Sequence, residues 1–117
     1  MSKPVRIISK KDTLKKAVHV MDEHNIGVLA IVENEKPVGV LTERDILRRV
    51  VAKGLDLEES KVEDVMTKNP VTIESESSIL EATRMMSENN FRRLLVVKKG
   101  KLVGLITAKD VIEVLSA

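Results

Sequence analysis

The chain repeats itself. Displaced by 65 positions, residues 12–47 lie on residues 77–112 without a gap, and eleven of those 36 pairs are identical: Ala17/Ala82, Met21/Met86, Glu23/Glu88, Asn25/Asn90, Leu29/Leu94, Val32/Val97, Lys36/Lys101, Val38/Val103, Gly39/Gly104, Thr42/Thr107 and Asp45/Asp110. Several other pairs exchange one aliphatic residue for another. Such a chain folds as two copies of one supersecondary unit, and two copies are too few for a solenoid array. Of 117 residues, each half alone would bury only a marginal core, so the halves are expected to pack together and share one. The division reads 1–54, a polar connector 55–69, and 70–117.

Each copy shows the same order of patterns. Val5–Ile8 reads as an edge strand. Asp12 or Thr13 caps a helix with Leu14, Ala17, Val18 and Met21 on one face, ended by Asn25 and Gly27. Val28–Val32 is a continuous apolar run, suited to a strand buried on both faces. After the turn at Glu33–Lys36 comes a strand, Pro37–Leu41, and Thr42 opens a helix reaching Ala52. The second copy gives an edge strand at Val71–Ile73, then a helix from Ser77 to Glu88 with Ser77 or Ser78 at its cap and Glu81 in its first turn. A hairpin of Arg93–Val97 and Lys101–Ile106 follows, then a helix over Ala108–Leu115. Between the copies one helical turn is expected near Val62–Met66, stopped before Pro70.

Composition removes whole classes of function. Without cysteine there is neither a disulfide framework nor a thiolate site. His19 and His24 are five apart, which spreads them around a helix rather than across one metal. Twenty Lys and Arg against eighteen Asp and Glu leave a net charge of +2, and Phe91 is the sole aromatic residue, so no base-stacking platform exists for nucleic acid. With neither a signal peptide nor a membrane-length apolar run, the chain is expected to be soluble and cytoplasmic. No nucleophile with an adjacent base and no phosphate-cradling glycine loop stands out, so the chain reads as a non-enzyme.

The densest match between copies is Gly39-Val-Leu-Thr42-Glu-Arg-Asp45 against Gly104-Leu-Ile-Thr107-Ala-Lys-Asp110. Apolar core positions would not require a polar Thr and Asp three apart after a strand in both. Glycine lets a ligand or another backbone approach. Thr42 and Thr107 stand at helix starts, where free N–H groups favour phosphate. Asp45 and Asp110 could accept hydrogen bonds from two neighbouring hydroxyls, as on a ribose, with Arg44 and Lys109 adding positive charge near a phosphate. The same spacing is also that of a helix cap followed by a dipole-favourable acid, and both readings stay open. Arg92 and Arg93 form a second basic cluster, opposite Gly27 and Val28 of the first copy.

These motifs, with Asp64-Val-Met-Thr-Lys-Asn-Pro-Val-Thr72 and Asn90-Phe-Arg-Arg-Leu-Leu-Val-Val97, resemble a tandem pair of cystathionine beta-synthase (CBS) domains, a Bateman module. The resemblance implies an α/β (α+β) fold of two β-α-β-β-α units packed about a pseudo-two-fold through their sheets. It implies two clefts for adenosyl ligands (AMP, ADP, ATP or S-adenosylmethionine) and usually a homodimer. Carried over, cleft one combines Thr42, Arg44 and Asp45 with Val71, Thr72, Arg93 and Leu94. Cleft two combines Thr107, Lys109 and Asp110 with Ile7, Ile8, Gly27, Val28 and Leu29, and lacks a counterpart of Arg93. The function implied is a regulatory module sensing an adenosyl ligand on behalf of an unidentified protein partner. The alternatives are a dimerisation or protein-interaction module with vestigial clefts, and, less favoured by the composition, a nucleic-acid-binding regulator.

Overall fold

The computed structural model describes residues 3–116. The chain forms two compact units, one of residues 6–69 and one of residues 3–5 with 70–116. The first runs β1 (Ile7–Ile8), α1 (Leu14–His24), β2 (Val28–Glu33), β3 (Lys36–Thr42), α2 (Glu43–Asp45), a π-helical segment (Ile46–Val51), α3 (Val62–Val65) and β4 (Thr67–Lys68). Its sheet has the order β1-β2-β3-β4, with β1 parallel to β2 and the other pairs antiparallel. The second unit runs β5 (Thr72–Glu74), α4 (Ile79–Asn89), β6 (Arg93–Lys98), β7 (Lys101–Thr107) and α5 (Ala108–Ser116), in the order β5-β6-β7 with β5 parallel to β6. The mixed α/β class and the repeated unit are as the sequence implies.

The local chemistry is duplicated in detail. The Thr13 hydroxyl accepts from Lys16 N at 3.2 Å and opens α1; the Ser78 hydroxyl accepts from Glu81 N at 3.0 Å and opens α4. Of the candidate caps, Thr13 and Ser78 therefore serve. Both helices end on an asparagine in the left-handed region, Asn25 at φ 52° and Asn90 at φ 56°. Each hairpin turns through two residues at positive φ, Asn34–Glu35 and Lys99–Gly100, which matches the twist of the strands. A bulge falls at Ile31/Val32 and again at Val96/Val97, the same point of the repeat.

Each unit buries its own cluster. Leu14, Ala17 and Met21 of α1 pack with Leu29, Ile31, Leu41, Val50, Val62 and Val65 in the first. Ala82 and Met86 of α4 pack with Ile73, Leu94, Val96, Ile106 and Val111 in the second. In each unit the apolar stripe of the helix finds its match on that unit's own sheet. Four successive residues of β6, Leu94–Val97, are buried, as a strand covered on both faces requires.

Two differences from the sequence reading matter for the site. First, the helix opened by Thr42 is α-helical only to Asp45 and then widens, with Ala52 N bonded to Leu47 O, five residues back, at 3.0 Å. Its counterpart α5 is a regular helix. Second, residues 55–69, whose expected helical turn is α3, dock onto the first unit. Leu14 N donates to Ser60 O, Lys15 N to Leu57 O and Val62 N to Asp12 O, so the segment closes over the start of α1. It then adds β4 to β3, pairing Gly39 with Lys68 and Val40 with Thr67. The second unit has an equivalent in Lys3, which bridges Leu105 of β7 through hydrogen bonds of 2.8 and 2.9 Å. Lys3 and Lys68 are 65 apart, as are Val40 and Leu105.

Candidate functional site

The motif Thr and Asp form a capping box in each copy. At the start of α2, Thr42 N donates to Asp45 Oδ2 at 2.9 Å and Asp45 N donates to Thr42 Oγ1 at 3.2 Å. At the start of α5 the same bonds, Thr107 N to Asp110 Oδ2 and Asp110 N to Thr107 Oγ1, measure 3.0 and 3.2 Å. The box satisfies helix-end donors that otherwise lack partners, and the acid suits the positive end of the dipole. One carboxylate oxygen of each Asp is thereby committed to the fold. The other, Oδ1, faces a cation in each unit, and the side chains retain exposures of 15% (Asp45) and 18% (Asp110). Both carboxylates are thus anchored yet reachable, which is the geometry a diol-binding acid needs.

The cations that pair with the acids lie outside the motif. Arg44 and Lys109 are exposed. Asp45 Oδ1 instead lies 3.7 Å from Arg49 Nε, one helical turn on. Asp110 Oδ1 lies 3.8 Å from Lys3 Nζ. Burial pushes the Asp110 carboxyl upward, but the N–H and hydroxyl of Thr107, with Lys3 and Lys109 nearby, outweigh it and hold the group below its ordinary range. Arg49 was missed because its counterpart in the second copy is Val114, so the repeat carried no signal for it. Lys3 was legible only as the repeat partner of Lys68.

Of the two uses open to Gly39, approach of a ligand or of another backbone, the structure shows the second. A Cβ built there would lie 2.5 Å from Met66 Sδ and 3.2 Å from the Thr67 carbonyl oxygen. The space is taken by the chain itself, where β4 crosses β3.

The remaining candidates sit near the motif in strand register. In the first unit Val28 is opposite Thr42 and Leu29 opposite Leu41, while Ile7 and Ile8 edge the sheet beside Ala30 and Ile31. Ile8 and Leu29 are buried, and Ile7 is exposed. In the second, Arg93 is opposite Thr107, Leu94 opposite Ile106, and Thr72 lies beside Leu95. Arg93 is exposed, Val71 and Thr72 are half-buried, and Leu94 is buried. Glu43 N donates to Gly27 O at 3.0 Å, and Ala108 N to Arg92 O at 2.9 Å, which are equivalent bonds. The side chains around these bonds are exchanged: the Glu43 carboxylate occupies the place a Cβ on Gly27 would take, whereas the second copy has Arg92 facing Ala108. One copy therefore has Glu43 beside Gly27, and the other has Ala108 bonded to Arg92. His19 pairs with Glu23 at 3.4 Å. Among the described residues no helix is long and apolar enough to cross a membrane.

Comparison with known proteins gives this duplicated geometry a family. An uncharacterised protein of Methanopyrus kandleri is 35% identical over 108 residues, 91% of this chain and 55% of the relative. The inosine-5'-monophosphate dehydrogenase of Korarchaeum cryptofilum is 37% identical over 105 residues, 89% of this chain but 21% of that enzyme. The chain thus spans about half the length of the first curated relatives it matches, 55% and 52%, and a segment like it also occurs inside a larger enzyme. Among solved structures, a CBS domain protein from Pyrobaculum aerophilum complexed with AMP superposes with a TM-score of 0.81 at 25% identity, covering 100% of this chain and 95% of that one. The CBS domain family matches residues 1–52 and again 62–117. Two matched copies, each carrying a Thr–Asp capping box, make the chain a member of the CBS domain family, with the two domains in tandem.

Proposed function

We propose that the chain is a non-catalytic regulatory module that binds an adenosyl ligand, with AMP, ADP, ATP and S-adenosylmethionine as the candidates. The observation that supports it best is the duplicated Asp. Each is anchored through Oδ2 and keeps a reachable edge at a helix start, as capture of a ribose diol beside a phosphate-favouring N-terminus would need. The AMP complex of the Pyrobaculum aerophilum relative lends this weight. In this reading cleft one uses Thr42, Arg44 and Asp45 with Val71, Thr72, Arg93 and Leu94. Cleft two uses Thr107, Lys109 and Asp110 with Ile7, Ile8, Gly27, Val28 and Leu29. Arg93 gives cleft one the firmer phosphate grip, by roughly 1.5–3 kcal/mol for a charge-assisted contact, about ten- to a hundred-fold in affinity.

Titration calorimetry with the four ligands tests this. Asp45→Asn is expected to remove the tight phase and Asp110→Asn to leave it. The reverse result would exchange the clefts, and no binding by any ligand would remove the reading. A second reading rests on the same capping boxes: since fold stability alone accounts for both Thr–Asp pairs, the clefts could be vestigial and the module serve interaction. The exposed Leu47, Val51, Ile112, Val114 and Leu115 favour a homodimer through the helices after each motif under either reading.

A further inference from the structure

In each unit the motif aspartate faces a cation that is tied to the segment docked on the outer edge of its hairpin. In the first unit the tie is Arg49. Its Nε lies 3.7 Å from Asp45 Oδ1, while its Nη1 donates to Val65 O at 2.8 Å and to Thr67 Oγ1 at 3.1 Å. Val65 is the last residue of α3 and Thr67 the first of β4. One guanidinium therefore joins the motif acid to a helix-end carbonyl without an intrahelical partner and to the strand added beyond β3. In the second unit the tie is direct: Lys3, bridged to Leu105 at the edge of β7, reaches Asp110 Oδ1. The two ties use unrelated residues, since Arg49 is matched by Val114 and Lys3 by Lys68. What recurs is the wiring rather than the sequence.

We infer that Arg49 is a positioning residue that transmits the state of Asp45 to the α3–β4 segment, making that segment the part of the first unit that reports ligand occupancy. The physical argument is linkage. A guanidinium has one set of positions that serves Asp45, Val65 O and Thr67 Oγ1 together. Whatever holds the Asp45 carboxylate in its present rotamer and charge state favours that set, and with it the docked strand. A diol on Asp45 adds such a hold, so occupancy tightens the dock, and by reciprocity a tight dock strengthens binding by the same factor. The ligand part rests on the proposed function; the Asp45–Arg49–β4 link does not.

Backbone hydrogen exchange at residues 66–68 reads the dock. Without ligand, Asp45→Asn, whose amide oxygen can still accept from Thr42 N, is expected to speed exchange there by about two- to five-fold, the scale of a partly exposed ion pair. In an Arg49→Met background the same change is expected to do nothing at 66–68. Equal acceleration in both backgrounds overturns the link, because a merely structural Arg49 would raise the baseline and leave the Asp45 effect in place. Arg49→Lys keeps the charge and loses the fork, and is expected to behave as Met does; full retention of the Asp45 effect also overturns it. With AMP, occupancy measured in parallel by calorimetry, exchange at 66–68 is expected to slow in the wild type and not in Arg49→Met. Bound AMP with unchanged exchange in the wild type refutes the coupling. Failure of AMP and of the other three candidates to bind removes only the proposed function, and the ligand-free arm still decides.

Discussion

Gly39→Ala separates a glycine kept for a ligand from one kept for the fold. The new methyl would stand 2.5 Å from Met66 Sδ, about 1 Å inside ordinary contact, and 3.2 Å from the Thr67 carbonyl oxygen. The thioether can swing aside, but Met66 packs against the first core cluster, so moving it disturbs that packing. The carbonyl belongs to β4, which is two residues long and must give by a few tenths of an ångström. Overpacking of this kind costs about 1–3 kcal/mol. Against it, alanine loses less conformational entropy on folding than glycine, worth about 0.4–1 kcal/mol. The net expectation is a loss of about 0.5–2 kcal/mol, or a Tm lower by a few degrees. Urea unfolding followed by circular dichroism measures it. The discriminating control is Met66→Ala, which removes the sulfur: in that background Gly39→Ala is expected to be neutral or slightly stabilising. A neutral Gly39→Ala in the wild-type background would refute the claim that the 66–67 segment requires this glycine, and an equal loss in both backgrounds would refute the claim that Met66 is the chief obstacle.

The Asp110 carboxyl titrates below its ordinary value of 3.8. Its folded-state contribution is therefore full above that value and lost as pH falls through the depressed one. Asp110→Asn is expected to lower stability near neutrality and flatten the acid limb below about pH 4, measured by urea midpoints across pH. Val50, buried at 1% exposure by the π-helical segment, is expected to lose about 2–4 kcal/mol as Val50→Ala, whereas the exposed Val51→Ala should change stability by less than about 0.5 kcal/mol; equal effects would deny the widened turn its role in the core. Light scattering is expected to report a dimer at micromolar concentration, and a monomer for the double variant Leu47→Asp and Leu115→Asp; a monomeric wild type would remove the helix-face interface.

The sequence by itself determined the architecture, because the repeat, the apolar spacing and the caps are local. Leu14, Ala17 and Met21 share a face through helical periodicity alone, and Asn25 and Asn90 stop their helices through backbone conformations few other residues tolerate. The Thr–Asp pairs were legible for the same reason, since a capping box spans three residues. What only the tertiary structure decided involved partners distant along the chain. Arg49 meets Val65 and Thr67 across 16 and 18 residues, and Lys3 meets Asp110 across nearly the whole chain. The clash reserved at Gly39 comes from a segment that sequence patterning read as a polar connector. The π-helical segment fell outside reach too: one extra residue in a turn leaves the apolar pattern almost unchanged, and the bond from Ala52 N to Leu47 O, five residues back, is what shows it. Periodicity records which face is buried, whereas the contacts that tune the motif acids depend on which edge of a sheet a later segment finds.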